Sequence, residues 1–232
     1  DVNQADETTG ATALILAAGM GANNLVRIVV AHGGNLAVAD FEGRTPLDAA
    51  VLNNQDDTVS LLRALDLHRA ARDGDLEAVS LAVKEGVDPN SVHPKTGATP
   101  LYAAVDKGQA AVAKLLLSSK ANPDLAPGSG FTPLYSAASK VDVDMVQLLL
   151  ETGAAVNKQI ANGDAPLFAT LRAKKGMLPM LKVLLAHKAD ASTENSKGIT
   201  PLKLALDKGA GDEVIQLLLG SKGSVNHVNK SG

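Results

Sequence analysis

The chain has 232 residues, is 45% hydrophobic and 2% aromatic, and carries a formal net charge of −3 at pH 7. It contains no cysteine, which excludes disulfides and cysteine-ligated metal sites, and its charge gives no global basic field for nucleic acid or anionic membranes. No apolar run approaches the roughly 20 residues that a membrane span needs. We expect a cytoplasmic protein, although the chain starts at Asp1 and a removed signal peptide stays an alternative.

The first predicted unit is a pair of short helices followed by a polar finger. A helix opens after Thr12, whose hydroxyl can accept a hydrogen bond from a free N–H group of the first turn, and the helix ends at Ala18. The second helix ends at Val30, and a finger over residues 34–43 leads to the next unit.

The second unit breaks the pattern at its end. It opens at Thr45, and its outer helix is predicted to end near Leu65. The leucine that follows its Thr-Pro pair, Leu47, is only 20 residues from the next such leucine, Leu67. A regular unit has a period near 33, so about 13 residues of finger are missing here.

The clearest unit covers residues 97–124. Thr99 and Pro100 open its first helix, because proline tolerates the first helical position, where its missing N–H costs nothing. Gly108 ends that helix, since glycine readily takes the left-handed conformation. A second helix follows, with apolar residues at helical spacing, and it leads into another polar finger.

The leucine after the opening pair acts as a landmark that recurs along the whole chain. It stands at Leu14, Leu47, Leu67, Leu101, Leu134, Leu167 and Leu202. Full Thr-Pro-Leu openings occur at residues 45–47, 99–101, 132–134 and 200–202. With this period and opening, the chain resembles the ankyrin-repeat family over nearly its whole length. The resemblance implies an all-α solenoid of helix-turn-helix units with hairpin-like fingers.

The irregular junction divides the chain into two arrays. Residues 1–65 are predicted to form two repeats, and the polar Asp56 and Asp57 give the second of them the outer face of a closing repeat. Residues 66–232 are predicted to form five repeats that begin with a polar opening repeat and end in a finger. We hypothesise that the natural stacking order is 66–232 followed by 1–65, with a tandem of two arrays or a native repeat that lost its finger as the alternatives.

Catalytic and metal-binding motifs are absent from the sequence. The five histidines are scattered, and none forms the i, i+4 pair of a zinc-binding helix. The sequence contains neither a phosphate-binding G-x-x-x-x-G-K-[ST] loop nor a G-x-S-x-G nucleophile turn. We therefore expect no enzymatic activity, no cofactor and no metal.

Three of the five aromatic residues share one position. Tyr102, Tyr135 and Phe168 each follow the landmark leucine, where the ankyrin family commonly has histidine, and of the seven repeats only one keeps that histidine, as His68. Equivalent positions of a solenoid stack into a ladder. The rings either pack between inner helices and fingers as part of the core, or form an aromatic strip that anchors a partner.

A second set of candidates lies in the finger slot before the opening threonine. This slot holds Arg44, Phe131 and Ile199, and the resemblance implies that it faces the partner. An apolar residue at a loop tip is unfavourable unless it is covered. Phe131 and Ile199 are thus better contact candidates than the aromatic ladder.

The third set is charged. Lys107, Lys140 and Lys208 share the position six residues after the landmark leucine. They form either a solvated face or a basic strip that pairs with an acidic peptide, with RNA or a phosphorylated ligand as a further alternative.

The resemblance implies that the chain binds another protein through its concave groove and fingers. We expect a monomer without a membrane partner, and the negative net charge disfavours nucleic acid as the ligand. Two alternatives stay open. One is a regulatory ankyrin segment of a larger protein such as an enzyme, and the other is nucleotide or RNA sensing in the groove.

Overall fold

The computed structural model describes residues 1–173 and 176–221, which contain thirteen helices and no β-strand. The predicted all-α repeat solenoid is confirmed. The helices are α1 (Ala13–Gly19), α2 (Asn23–Ala31), α3 (Pro46–Leu52), α4 (Asp56–Asp73), α5 (Leu76–Lys84), α6 (Pro100–Asp106), α7 (Ala110–Ser118), α8 (Pro133–Lys140), α9 (Val143–Glu151), α10 (Pro166–Arg172), α11 (Met177–Ala186), α12 (Pro201–Asp207) and α13 (Asp212–Gly220).

Most of the short inner helices begin as the sequence predicts, with a threonine side chain at the N-cap, whereas α10 follows Ala165 and has no side-chain cap. The Thr99 hydroxyl accepts a hydrogen bond from the N–H of Tyr102 (3.1 Å), and proline occupies the first helical position. The same cap is formed by Thr12, Thr45, Thr132 and Thr200. Each cap satisfies a backbone donor that the first turn leaves free, and a cap of this kind contributes about 1 kcal/mol.

Helix α4 is the exception to the repeat, because it runs through the junction between the two predicted arrays. The predicted helix end near Leu65 is wrong, since the helix continues to Asp73 and ends at Gly74 in the left-handed conformation. No glycine or proline interrupts residues 56–73. Arg69 also pairs with Asp66 across one helical turn, at 2.8 Å. One helix therefore serves as the outer helix of the second repeat and the first helix of the third.

The buried side chains form two main clusters that meet at this junction. One extends from Leu14 to Leu65 and packs α1, α2, α3 and the first half of α4 together. The other extends from Leu67 to Leu218. The stacking order 66–232 followed by 1–65 stays a prediction, and the final finger at 225–232 lies outside the described residues.

Six fingers are described, at residues 1–11, 32–44, 85–98, 119–131, 152–164 and 187–199, and side chains tie neighbouring fingers together. In the third finger, Asn90 Oδ1 accepts a hydrogen bond from the N–H of Asn122 (2.7 Å), and its Nδ2 donates to the carbonyl of Lys120 (3.3 Å). We call a residue a clamp residue when its side-chain oxygen accepts a hydrogen bond from a backbone N–H of the next finger. The clamp residues are Asn3, Asn90, Asp124 and Asn157.

Candidate recognition surface

The aromatic ladder is progressively buried along the chain. Tyr102 is half-buried, Tyr135 is 8% exposed, and Phe168 is completely buried. Burial also raises the pKa of both tyrosines above the ordinary value of 10. Phe168 has no exposed surface to offer a partner and belongs to the core, where side chains of its own repeat cover it.

That cover is a polar network over the Phe168 ring. Arg172 forms an ion pair with the fully buried Asp164, and its guanidinium carbon lies 6.0 Å from the centre of the Phe168 ring. Asn162 and Asn195 also donate hydrogen bonds to the carboxylate of Asp164, each at 3.0 Å. Burial alone would raise the pKa of Asp164, but the bonds from Arg172 and Asn195 hold it below its ordinary value.

The finger slot contains one ring that remains at the surface. Phe131 is 38% exposed, and its ring centre lies 5.3 Å from that of Tyr135 on α8. The buried tyrosine thus supports the exposed phenylalanine from below. Ile199 is half-buried, whereas Arg44 is held by ion pairs to Asp40 and Glu42 within its own finger.

The three lysines of the charged ladder all lie at the C-terminal ends of inner helices. Lys107 and Lys208 cap α6 and α12, and Lys140 is the last residue of α8. A cation at this end of a helix is stabilised by the helix dipole. Lys140 also pairs with Asp106 of the preceding repeat at 2.6 Å, so part of this ladder links neighbouring repeats.

The structure reveals an exposed apolar surface that sequence reasoning missed. Leu16 on α1 and Met20 at its C-cap are 55% and 67% exposed. Val51 and Leu52 on α3 are 52% and 63% exposed. Met20 stands at the position that holds Lys107 in a later repeat. The sequence did contain a sign of this surface, because an apolar residue stands at a position that is charged in later repeats. The inner surface is therefore apolar at its N-terminal end and basic further along the chain.

The described residues contain neither a cluster of candidate metal ligands nor a helix that could cross a membrane. Among residues 1–173 and 176–221, no three histidine or carboxylate side chains gather where they could hold a metal ion. In the same part of the chain, no helix combines the length and the apolar character needed to cross a membrane.

Stacked helix pairs joined by polar fingers define a helical-repeat recognition fold. The family model of ankyrin repeats (three copies) matches residues 1–66 and 67–160, more than half of the sequence, and the chain belongs to the ankyrin-repeat family. It is similar to the ankyrin repeat protein FPV223 of fowlpox virus (strain NVSL), with 30% identity over 128 residues that cover 50% of this chain and 90% of that protein. Ankyrin repeats are generally protein–protein interaction modules, and the family is typically non-enzymatic.

Proposed function

We propose that the chain binds a partner protein through its inner helices and the adjoining fingers, with Phe131 as an anchor. The observation that carries the proposal is the position of this ring. It is 38% exposed at the end of the fourth finger, next to the start of α8, and is supported by the buried Tyr135. An aromatic ring held in place before binding loses little conformational entropy when a partner covers it.

Exposed lysine side chains also support the proposed binding surface. Lys107 and Lys208 are exposed at the C-terminal ends of their helices, on the same repeat position as Lys140. They would provide polar contacts at the rim of an interface whose centre is apolar. We keep the monomeric state and the cytoplasmic location as predictions.

The proposal is tested by affinity capture from lysate of the source cells, with and without nuclease. Phe131→Ala removes the anchor, and Leu81→Ala removes a similar apolar side chain that is 58% exposed on the outer helix α5. Circular dichroism checks that both variants are folded. We expect the parent and Leu81→Ala to capture the same protein and Phe131→Ala to lose it.

Equal capture by all three proteins would mean that Phe131 is not part of the interface. A capture that disappears on nuclease treatment would instead favour the nucleic-acid alternative. Tyr135 is not varied, because truncating a ring that is only 8% exposed would destabilise the fold by about 3 to 5 kcal/mol and confuse the result.

A further inference from the structure

A cleft of about 790 Å³ lies beside the place where the chain lacks a finger. Its floor is α4, with Leu65, His68, Arg69 and Arg72. One wall consists of the end of α2 and the second finger, and the other consists of the third finger with the exposed face of α6. This volume falls within the range of about 300 to 1,000 Å³ typical of ligand pockets.

On both sides of the missing finger, the positions that form clamp bonds in other fingers form none. Clamp residues Asn90, Asp124 and Asn157 stand six residues after the end of their outer helix, and in the second finger this position is Ala37. Ala37 has no side chain that could reach a following finger. In the third finger, Asp88 stands at the position that Asn122 holds in the fourth, where the backbone N–H donates to a clamp residue. Within the described residues the N–H of Asp88 has no hydrogen bond.

Charge in the cleft is mainly positive, although the whole chain is negative. The lining includes Arg69, Arg72, Lys95 and Lys107, but only one carboxylate, that of Asp106. Carboxylates outside the lining offset part of this charge. Asp66 and Asp73 pair with the two arginines, and Asp106 pairs with Lys107 at 3.5 Å.

Lys95 is the cation that lacks such compensation. Its ammonium group crosses the cleft and donates a hydrogen bond to the carbonyl of Ala31 at the end of α2, at 2.6 Å. Within the described part of the chain no carboxylate forms an ion pair with it. A ligand carboxylate would therefore bind this ammonium without first displacing a protein carboxylate.

The histidines of the cleft do not add to this charge at neutral pH. Burial, and then the neighbouring His93, lower the pKa of His68 to about 4. Burial, followed by the charges of Arg72 and Lys95, lowers the pKa of His93 as well. The positive potential of the cleft near physiological pH thus comes from its arginine and lysine side chains.

We propose that this cleft binds an acidic, extended segment of a partner protein. The absent finger leaves an open slot between two fingers, and the excess of cations along it complements a row of carboxylates. The half-buried Tyr102 provides an apolar surface for the rest of the segment. The site is centred on α4, so it adds a second contact region to the proposed recognition surface and does not depend on Phe131.

A peptide is favoured over a nucleic acid for two reasons. The carboxylates of Asp66, Asp73 and Asp106 repel any anion that comes close to them. A peptide with a few spaced carboxylates can place them beside Lys95 and away from these groups, whereas a nucleic acid carries a charge at every nucleotide. The described lining also contains a single aromatic side chain apart from the histidines, that of Tyr102, whereas single-stranded nucleic acids are usually held by several stacked rings.

The test uses a fluorescein-labelled octapeptide of alternating glutamate and glycine, its glutamine counterpart, and an oligouridylate octamer as probes of fluorescence anisotropy. Arg72→Gln/Lys95→Gln removes two charges from the cleft, and Lys84→Gln/Lys114→Gln removes two from exposed positions on the outer helices α5 and α7. We expect the parent to bind the glutamate peptide and the cleft variant to bind it about 10-fold more weakly, a loss of ~1.4 kcal/mol. The control variant should keep the affinity within a factor of about 2, which is less than ~0.5 kcal/mol.

Several outcomes would overturn the proposal. These are no binding of the glutamate peptide, equal binding of the glutamine peptide, equal weakening by the two double variants, or preferential binding of the oligouridylate. Loss of peptide binding in Phe131→Ala would also overturn it, because that residue lies outside the cleft. Retained peptide binding in Phe131→Ala, with lost capture of the lysate partner, would support both sites separately.

Discussion

Acidification is expected to destabilise the protein through His68, before its carboxylates contribute. This histidine is 4% exposed on α4, and its Nε2 lies 3.3 Å from the hydroxyl of Ser91. The ring of His93 lies 5.5 Å away in an edge-on arrangement. Burial and the charge of His93 lower the pKa of His68 from 6.5 to about 4, so the folded state holds this ring neutral.

The sign and size of the effect follow from proton linkage. Between pH 6.5 and 4 the unfolded chain binds a proton that the folded chain does not, and stability therefore falls as the pH falls through this window. The full shift corresponds to about 3 kcal/mol, of which about 2 kcal/mol is lost between pH 7 and 4.5. Carboxyl groups with a lowered pKa, such as Asp106 beside Lys140, lose their contribution only below the ordinary value of 3.8.

Urea unfolding followed by circular dichroism at several pH values between 7 and 4.5 measures this effect. His68→Gln removes the titrating ring and keeps a polar side chain that can reach Ser91, whereas His187→Gln changes an exposed histidine on the C-cap of α11. We expect the pH dependence of His68→Gln to be shallower than that of the parent by about 2 kcal/mol, and that of His187→Gln to match the parent. Parallel curves for the parent and His68→Gln would refute the reasoning.

Two further substitutions test the junction helix and the clamps. Ala64→Pro, in the middle of α4, should cost about 3 kcal/mol or more in urea unfolding, and Ala64→Gly about 1 kcal/mol; equal effects of the two would contradict a continuous helix. Asn90→Ala removes both bonds to the next finger, including that from the N–H of Asn122, and should cost about 1 to 2 kcal/mol. Replacement of the exposed Asn24 on α2 by alanine serves as its control and should have little effect.

Local structure was predictable wherever a short-range rule determined it. A Thr-Pro pair fixes the start of α3, α6, α8 and α12, and Gly108 takes the left-handed conformation that its position requires. The repeat period does not predict the end of α4, because it places a boundary near Leu65, where the helix continues to Asp73. The uninterrupted helix formers between Thr58 and Asp73 were the stronger signal.

Exposure at the candidate site could not be read from the repeat position alone. Tyr102, Tyr135 and Phe168 occupy equivalent positions, yet one is half-buried and another has no exposed surface. The difference depends on side chains from other parts of the fold, such as the Arg172 and Asp164 pair over Phe168. Periodicity predicts which residues occupy equivalent positions, but the burial of each one depends on neighbours that do not repeat.

The missing finger is better explained as a feature of the folded protein than as an accidental gap. A finger lost by deletion alone would leave a clamp side chain in the preceding finger with nothing to bind. The second finger instead has Ala37 at that position, whereas the first, third, fourth and fifth fingers have a clamp residue. Without a clamp residue in the second finger, residues 1–65 can form the closing end of an array, in either a tandem or a permuted order. In both cases α4 joins two separate cores and leaves the basic cleft open along its length.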